Sequence, residues 1–194
     1  SLMGSPVSHS RSPSMQNGVF EALGLDFVYV AFDVNLESLE AAIQGMRAMK
    51  FRGGNVTMPL KKAVCQYLDG LTPSAEMAGA VNVIVNDAGV LTGHITDGEG
   101  YMMSLEDAGI DYVGKKMTLI GAGGASTAVA IQAAMQGVRA ISIFNHQDDF
   151  YRAGEKLVKD LRAQLGCEAH IFDLQDTARL KAEIADSHIL TNGT

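Results

Sequence analysis

The run Met117–Gly137, MTLIGAGGASTAVAIQAAMQG, limits the fold of this chain more than any other stretch. It reads as an apolar strand, a glycine turn and an apolar helix, in that order. The same order recurs downstream, with strands expected at Ala140–Phe144, Ala169–Phe172 and His188–Leu190 and helices at Lys156–Leu165 and Thr177–Ala185. Alternation of this kind predicts parallel sheets with helices on both faces, so the fold class expected is α/β.

Within that run, Gly121-Ala122-Gly123-Gly124-Ala125-Ser126 is a G-x-G-x-x-small turn set between a strand and a helix, the context that gives this motif its meaning. Gly121 permits the tight turn. Gly123 has no side chain to keep a pyrophosphate from the helix N-terminus, whose free N–H groups and positive dipole end favour an anion. Ser126 takes the place of the third glycine. The plainer reading is a glycine turn needed only to pack helix on strand. The next strand ends in ISIFNHQDD, which brings Asn145 to the strand end and Asp148 or Asp149 about twenty residues past the turn, where a carboxylate binds ribose hydroxyls. A 2′-phosphate would require Arg or Lys there, and His146 and Gln147 supply neither, so NAD is preferred and NADP is the alternative. Two acidic residues in a solvated loop are the competing reading.

Upstream, Phe27–Val34 is β-branched and aromatic, and Leu36, Leu39, Ile43 and Met46 follow at helical spacing behind Asn35 as a cap. GGNVTM is a further strand, KKAVCQYLDGL a helix past Pro59, and two more strands meet at Asp87-Ala88-Gly89. A helix ends near Gly109. The domain boundary is placed between Gly100 and Lys115, giving domains 1–100 and 101–194. Ser10 and Ser12, in an extended segment, direct both hydroxyls to one side and together suit a carboxylate, although Ser-Pro clusters are common loop chemistry. Lys61 is either a surface lysine at a helix start or a group presented to a substrate.

With 194 residues, 47% of them hydrophobic, the chain supports a real core. Its net charge of −7, with no local cluster of Lys and Arg, argues against a nucleic-acid partner and for a small ligand. Cys65 and Cys167 signal neither a disulfide framework nor a zinc site, and they fit a reducing cytoplasm. No run approaches a membrane span, and SLMGSPVSHS has no signal-peptide pattern.

Read together, SHSRSP (Ser8–Pro13), NVTMPLK (Asn55–Lys61), GAVNVIV (Gly79–Val85), TDGEG (Thr96–Gly100), GAGGAS and ILTNGT resemble the shikimate dehydrogenase family, most closely its quinate/shikimate branch. The resemblance implies an N-terminal open α/β substrate domain followed by a Rossmann-like dinucleotide domain across a cleft. It also implies metal-free, NAD(P)-linked oxidation of a ring hydroxyl of quinate or shikimate to the 3-dehydro form. By matching positions, Ser10 and Ser12 would bind the substrate carboxylate, and Thr57, Lys61, Asn82 and Asp97 would surround its hydroxyls. Lys61 would take the hydroxyl proton over roughly 2.6–3.2 Å, its pKa lowered by burial, with Asp97 orienting it.

Ile95 stands where the family commonly has Asn, and His146 and Gln147 where relatives often carry Arg, a further tilt toward NAD. The family continues past the position of Thr194, so the dinucleotide domain is expected to be incomplete here. Its uncovered edge and faces predict instability or pairing with another chain, a homodimer included. The competing function is a noncatalytic module that binds the same metabolites.

Overall fold

Strands and helices alternate along residues 1–194, which a computed structural model describes in full. The chain forms two compact units, Ser1–Ile95 and Thr96–Thr194. No helix is long and apolar enough to cross a membrane.

In chain order, the first unit contains β1 (Leu2–Gly4), α1 (Ser12–Ala22), β2 (Ala31–Asp33), α2 (Leu39–Ala48), β3 (Gly53–Val56), a 3₁₀ turn (Ala63–Tyr67), β4 (Gly70–Leu71), α3 (Pro73–Ala78), β5 (Val83–Asp87) and β6 (Val90–His94). The six strands form one sheet in the order β2-β1-β3-β5-β6-β4. The sheet is mixed: β1 runs parallel to β2 and β3, as strand–helix alternation predicts, while β5 is antiparallel to both β3 and β6. Asp87 pairs with Val90, which leaves Ala88 and Gly89 as a two-residue loop, both with positive φ (53° and 97°). That is the turn geometry that matches strand twist, and a hairpin so short can only join antiparallel strands.

Other local expectations also change. The strand expected at Phe27–Val34 pairs only over Ala31–Asp33, because its single neighbour β1 offers three residues. Leu36 is exposed and lies in the turn before α2, where Asn35 Oδ1 accepts the Ser38 N–H at 3.0 Å; Leu39, Ile43 and Met46 are the buried stripe. The helix expected after Pro59 is only a 3₁₀ turn. Asp69 accepts from Leu91 N–H and from Arg47 at 2.6 Å each, and Gly70 pairs with Thr92, so the chain is drawn into the sheet instead. α3 carries ordinary end signals: the Thr72 hydroxyl accepts from Ala75 N–H, Pro73 opens the helix and Gly79 closes it in the left-handed region.

The second unit contains α4 (Asp97–Asp107), β7 (Lys116–Ile120), α5 (Gly124–Met135), β8 (Ala140–Asn145), α6 (Asp149–Leu165), β9 (Glu168–Asp173), α7 (Thr177–Asp186) and β10 (Ile189–Asn192). Its four strands are all parallel, in the order β10-β7-β8-β9. Side chains alternate along them. Thr118 and Ser142 turn toward α7, where the Ser142 hydroxyl donates to Glu183 at 2.6 Å, while Met117, Leu119, Ile141 and Ile143 are fully buried with the opposite parity. α6 begins earlier than expected because Asp148 caps it, accepting the Tyr151 N–H at 3.0 Å. Gly98 lies inside α4 rather than in a turn, and a Cβ there would meet Ala128 O at 2.2 Å. The bare backbone at this point lets α4 lie directly on α5.

Candidate functional site

In the first unit, β1 and β3 are parallel and their C-terminal ends lie at one edge of the sheet. Since β5 is antiparallel to β3, its N-terminal end lies at that same edge, with Val83 opposite Asn55. The residues that follow β1 and β3 and precede β5 are therefore neighbours: the Ser5–Ser12 loop, Thr57–Lys62 and Asn82. Main-chain bonds stitch them together. Thr57 N–H donates to Met3 O at 2.9 Å, Ser5 N–H to Met58 O at 3.1 Å, Val56 N–H to Asn82 O at 2.8 Å and Val81 N–H to Lys61 O at 2.8 Å. The strand ends in parallel segments are where open α/β sheets collect ligands.

Ser10 and Ser12 do bring their hydroxyls together, 3.2 Å apart, but not along an extended segment. Ser12 is the first residue of α1, with Pro13 in its first turn, and its N–H donates to Ser10 Oγ at 3.2 Å. Proline's fixed φ favours a helix start here, which is why the extended reading fails. Gly4 is required by Thr57: a Cβ at residue 4 would lie 2.4 Å from Thr57 Cγ2. Asn82 is buried and Lys61 half-buried. Behind this edge, Tyr29 donates its phenol to Asn55 Oδ1 at 2.7 Å, and burial pushes that phenol's pKa up, keeping it a neutral donor. Asp97 belongs to the second unit, as the first residue of α4.

The glycine turn spans the end of β7 and the start of α5. Gly121 adopts φ +99°, a conformation closed to most side chains, and its Cβ position faces Gly193 and Thr194 at 3.1–3.3 Å. Gly123 and Gly124 differ from it. Both have ordinary φ, and a Cβ at either would meet nothing within 4 Å. No side chain caps α5. The turn thus leaves open space beside Gly123 and Gly124 and no side-chain cap on the first-turn N–H groups, an arrangement that fits a dinucleotide pyrophosphate. Ala125 completes the first turn on the exposed side, whereas Ser126 is 2% exposed and its Oγ has no hydrogen-bond partner, an omission that costs about 1–3 kcal/mol.

Asn145 links the turn to the next strand end. Its Oδ1 accepts the Ala122 N–H at 3.0 Å, and its Nδ2 donates to Asp148 Oδ1 and to His146 O at 2.8 Å each. Asp149 instead pairs with Arg152 at 3.2 Å and its side chain is 97% exposed. Of the two acids left open by spacing, Asp148 is the one tied to the glycine turn. Gly193 lies within ILTNGT, one of the stretches that carry the resemblance, but nothing in its position along the chain points to the glycine turn it packs against.

These features define a two-unit α/β protein with a Rossmann-like second half. The description "Shikimate dehydrogenase substrate binding domain" matches residues 2–84. All of this chain aligns, at 55% identity over 193 residues, with 66% of the shikimate dehydrogenase (NADP(+)) of Listeria monocytogenes serotype 4b (strain F2365). It aligns at 44% identity with 67% of the quinate/shikimate dehydrogenase of Escherichia coli (strain SMS-3-5 / SECEC). The crystal structure of shikimate 5-dehydrogenase from Listeria monocytogenes in complex with shikimate and NAD superposes with a TM-score of 0.98 at 55% identity, covering 100% of this chain and 67% of that one. The chain belongs to the shikimate dehydrogenase family. It spans about two thirds of the length of these relatives.

Proposed function

We propose that the full-length protein is an NAD(P)-linked dehydrogenase that reversibly oxidises a ring hydroxyl of shikimate to the 3-dehydro ketone. One observation carries the dinucleotide part: Gly123 and Gly124 are small for no reason internal to the fold, and the space they leave adjoins the uncapped first turn of α5. The substrate part is supported by the family and by the relative crystallised with shikimate and NAD. Quinate is proposed as a second substrate, after the Escherichia coli relative's name. The free thiols Cys65 and Cys167 favour a reducing compartment, the cytoplasm.

A bound nicotinamide supplies the hydride acceptor. The carbinol must also lose a proton, and Lys61 is the proposed group that takes it. Ser10 and Ser12 are proposed to hold the substrate carboxylate, and Thr57, Asn82 and Asp97 its hydroxyls. Gly121–Ala125 hold the pyrophosphate in this reading. Asn145 fixes Asp148 for the adenosine ribose, and a carboxylate there would repel a 2′-phosphate, so NAD is the preferred cofactor.

The test is the initial rate of the full-length protein on shikimate and quinate, each with NAD and NADP. Reduced nicotinamide in the wild type and its loss in a folded Lys61→Ala variant are expected. Saturable shikimate binding without turnover on either cofactor would instead establish a noncatalytic module.

A further inference from the structure

We propose that Ser126 and Gly193 are a matched pair of positioning residues: the small-residue requirement of the fingerprint's third position has moved from the helix to the strand end opposite. This rests on the dinucleotide reading of the same turn. Ser126 is 2% exposed with an unpartnered Oγ, and a Cβ on Gly193 would lie 2.2 Å from that Oγ and 3.3 Å from Ser126 Cβ. Gly193 does not have a positive φ, so its backbone suits any residue and only the serine opposite demands glycine. Its N–H donates to Ile120 O at 2.9 Å, and its carbonyl group lies against the Cβ position of Gly121 at 3.2–3.3 Å. The end of β10, the glycine turn and the first turn of α5 therefore share one close contact. Adding a carbon at 193 must turn the buried Ser126 hydroxyl out of its place or, where the packing around it leaves no other rotamer, shift α5 against β10 and with them the N–H groups proposed to face the pyrophosphate.

The experiment compares the full-length wild type, Gly193→Ala, Ser126→Gly and the double variant by NAD and NADP dissociation constants, shikimate dissociation constant and melting without ligand. Gly193→Ala is expected to weaken dinucleotide binding by about tenfold or more, as overpacking does, with shikimate binding unchanged. Ser126→Gly alone sets the reference for a turn without the hydroxyl, and the double variant is expected to bind within about threefold of that reference. Wild-type affinity in Gly193→Ala, or a double variant no better than it, overturns the pairing. If the wild type binds neither dinucleotide, the cofactor reading falls, and ligand-free melting still decides the pairing: recovery in the double variant supports it, additive losses overturn it. If Gly193→Ala does not fold, restored folding in the double variant is the expected result and its absence the overturning one.

Discussion

The two sheets present chemistry in different ways. In the second unit every strand is parallel and returns through a helix, and the glycine turn at its edge offers mostly main chain, N–H groups and residues without side chains, with Asn145 and Asp148 beside it from the next strand end. In the first unit the antiparallel β5 brings its own start to the ends of β1 and β3, and side chains from three distant segments collect there: Ser10 and Ser12, Thr57 and Lys61, and Asn82. One site is made by leaving atoms out, the other by putting them in. It follows that the first breaks when carbon is added and the second when a side chain is removed.

The largest effect is expected at Lys61. Lys61→Ala should lower kcat by roughly 10²- to 10⁴-fold, the span of a lost general base, with a smaller loss of substrate affinity for the missing hydroxyl contact and melting little changed. Equal kcat in wild type and variant would remove Lys61 from the chemistry. Gly123→Val tests the opposite kind of site. Nothing in the protein lies within 4 Å of the new Cβ, so the stability loss should stay at ~1 kcal/mol, that of an unfavourable N-cap, while dinucleotide affinity falls on the order of 100-fold. A valine variant that binds NAD normally would mean that the turn serves packing alone. Asp148→Ser keeps a cap on α6 and removes the carboxylate; about tenfold weaker NAD binding, with the NAD-to-NADP affinity ratio moved toward NADP, is expected at constant stability. Titration calorimetry with both cofactors reads that ratio.

The smallest effect concerns pH and belongs to the second unit. Burial pushes the Glu183 carboxyl up, but hydrogen bonds from Lys116 and Ser142 and the charges of Lys116 and Arg179 outweigh it and hold its pKa below the ordinary 4.5. A lowered folded-state value contributes stability that is full above the unfolded pKa and is lost as pH falls through the folded one. Glu183→Gln should therefore cost about 1–2 kcal/mol near neutrality, and its difference from the wild type should shrink below pH 4.5. Denaturant melts at several pH values would show it, and a gap of constant size would contradict it.

Much of the second unit could be read from sequence because its signals are local. An apolar strand, a glycine turn and a helix occupy consecutive residues, and the sheet they imply is the one found. The stripe Leu39, Ile43 and Met46 was legible for the same reason. α1 was not, since none of its residues is buried and it shows no apolar stripe; its proline start was its only cue. The stretch after Pro59 has helical composition, yet Asp69 and Gly70 are claimed by β6, a long-range pairing that overrides propensity. At the candidate site, spacing left Asp148 and Asp149 equal. Only the bond to Asn145 separates them. Ser126 departs from the glycine of the motif, and its small neighbour Gly193 is too distant along the chain for spacing to connect the two.

Gly98 has a wider bearing. With Ala128 O only 2.2 Å from where its Cβ would be, any other residue there would push α4 away from α5, and Asp97 begins that helix. The start of α4, and Asp97 with it, is thus held by the packing of two helices rather than by a pliable loop. Any selection that requires a folded second unit should therefore leave position 98 untouched, whatever else it changes along the chain.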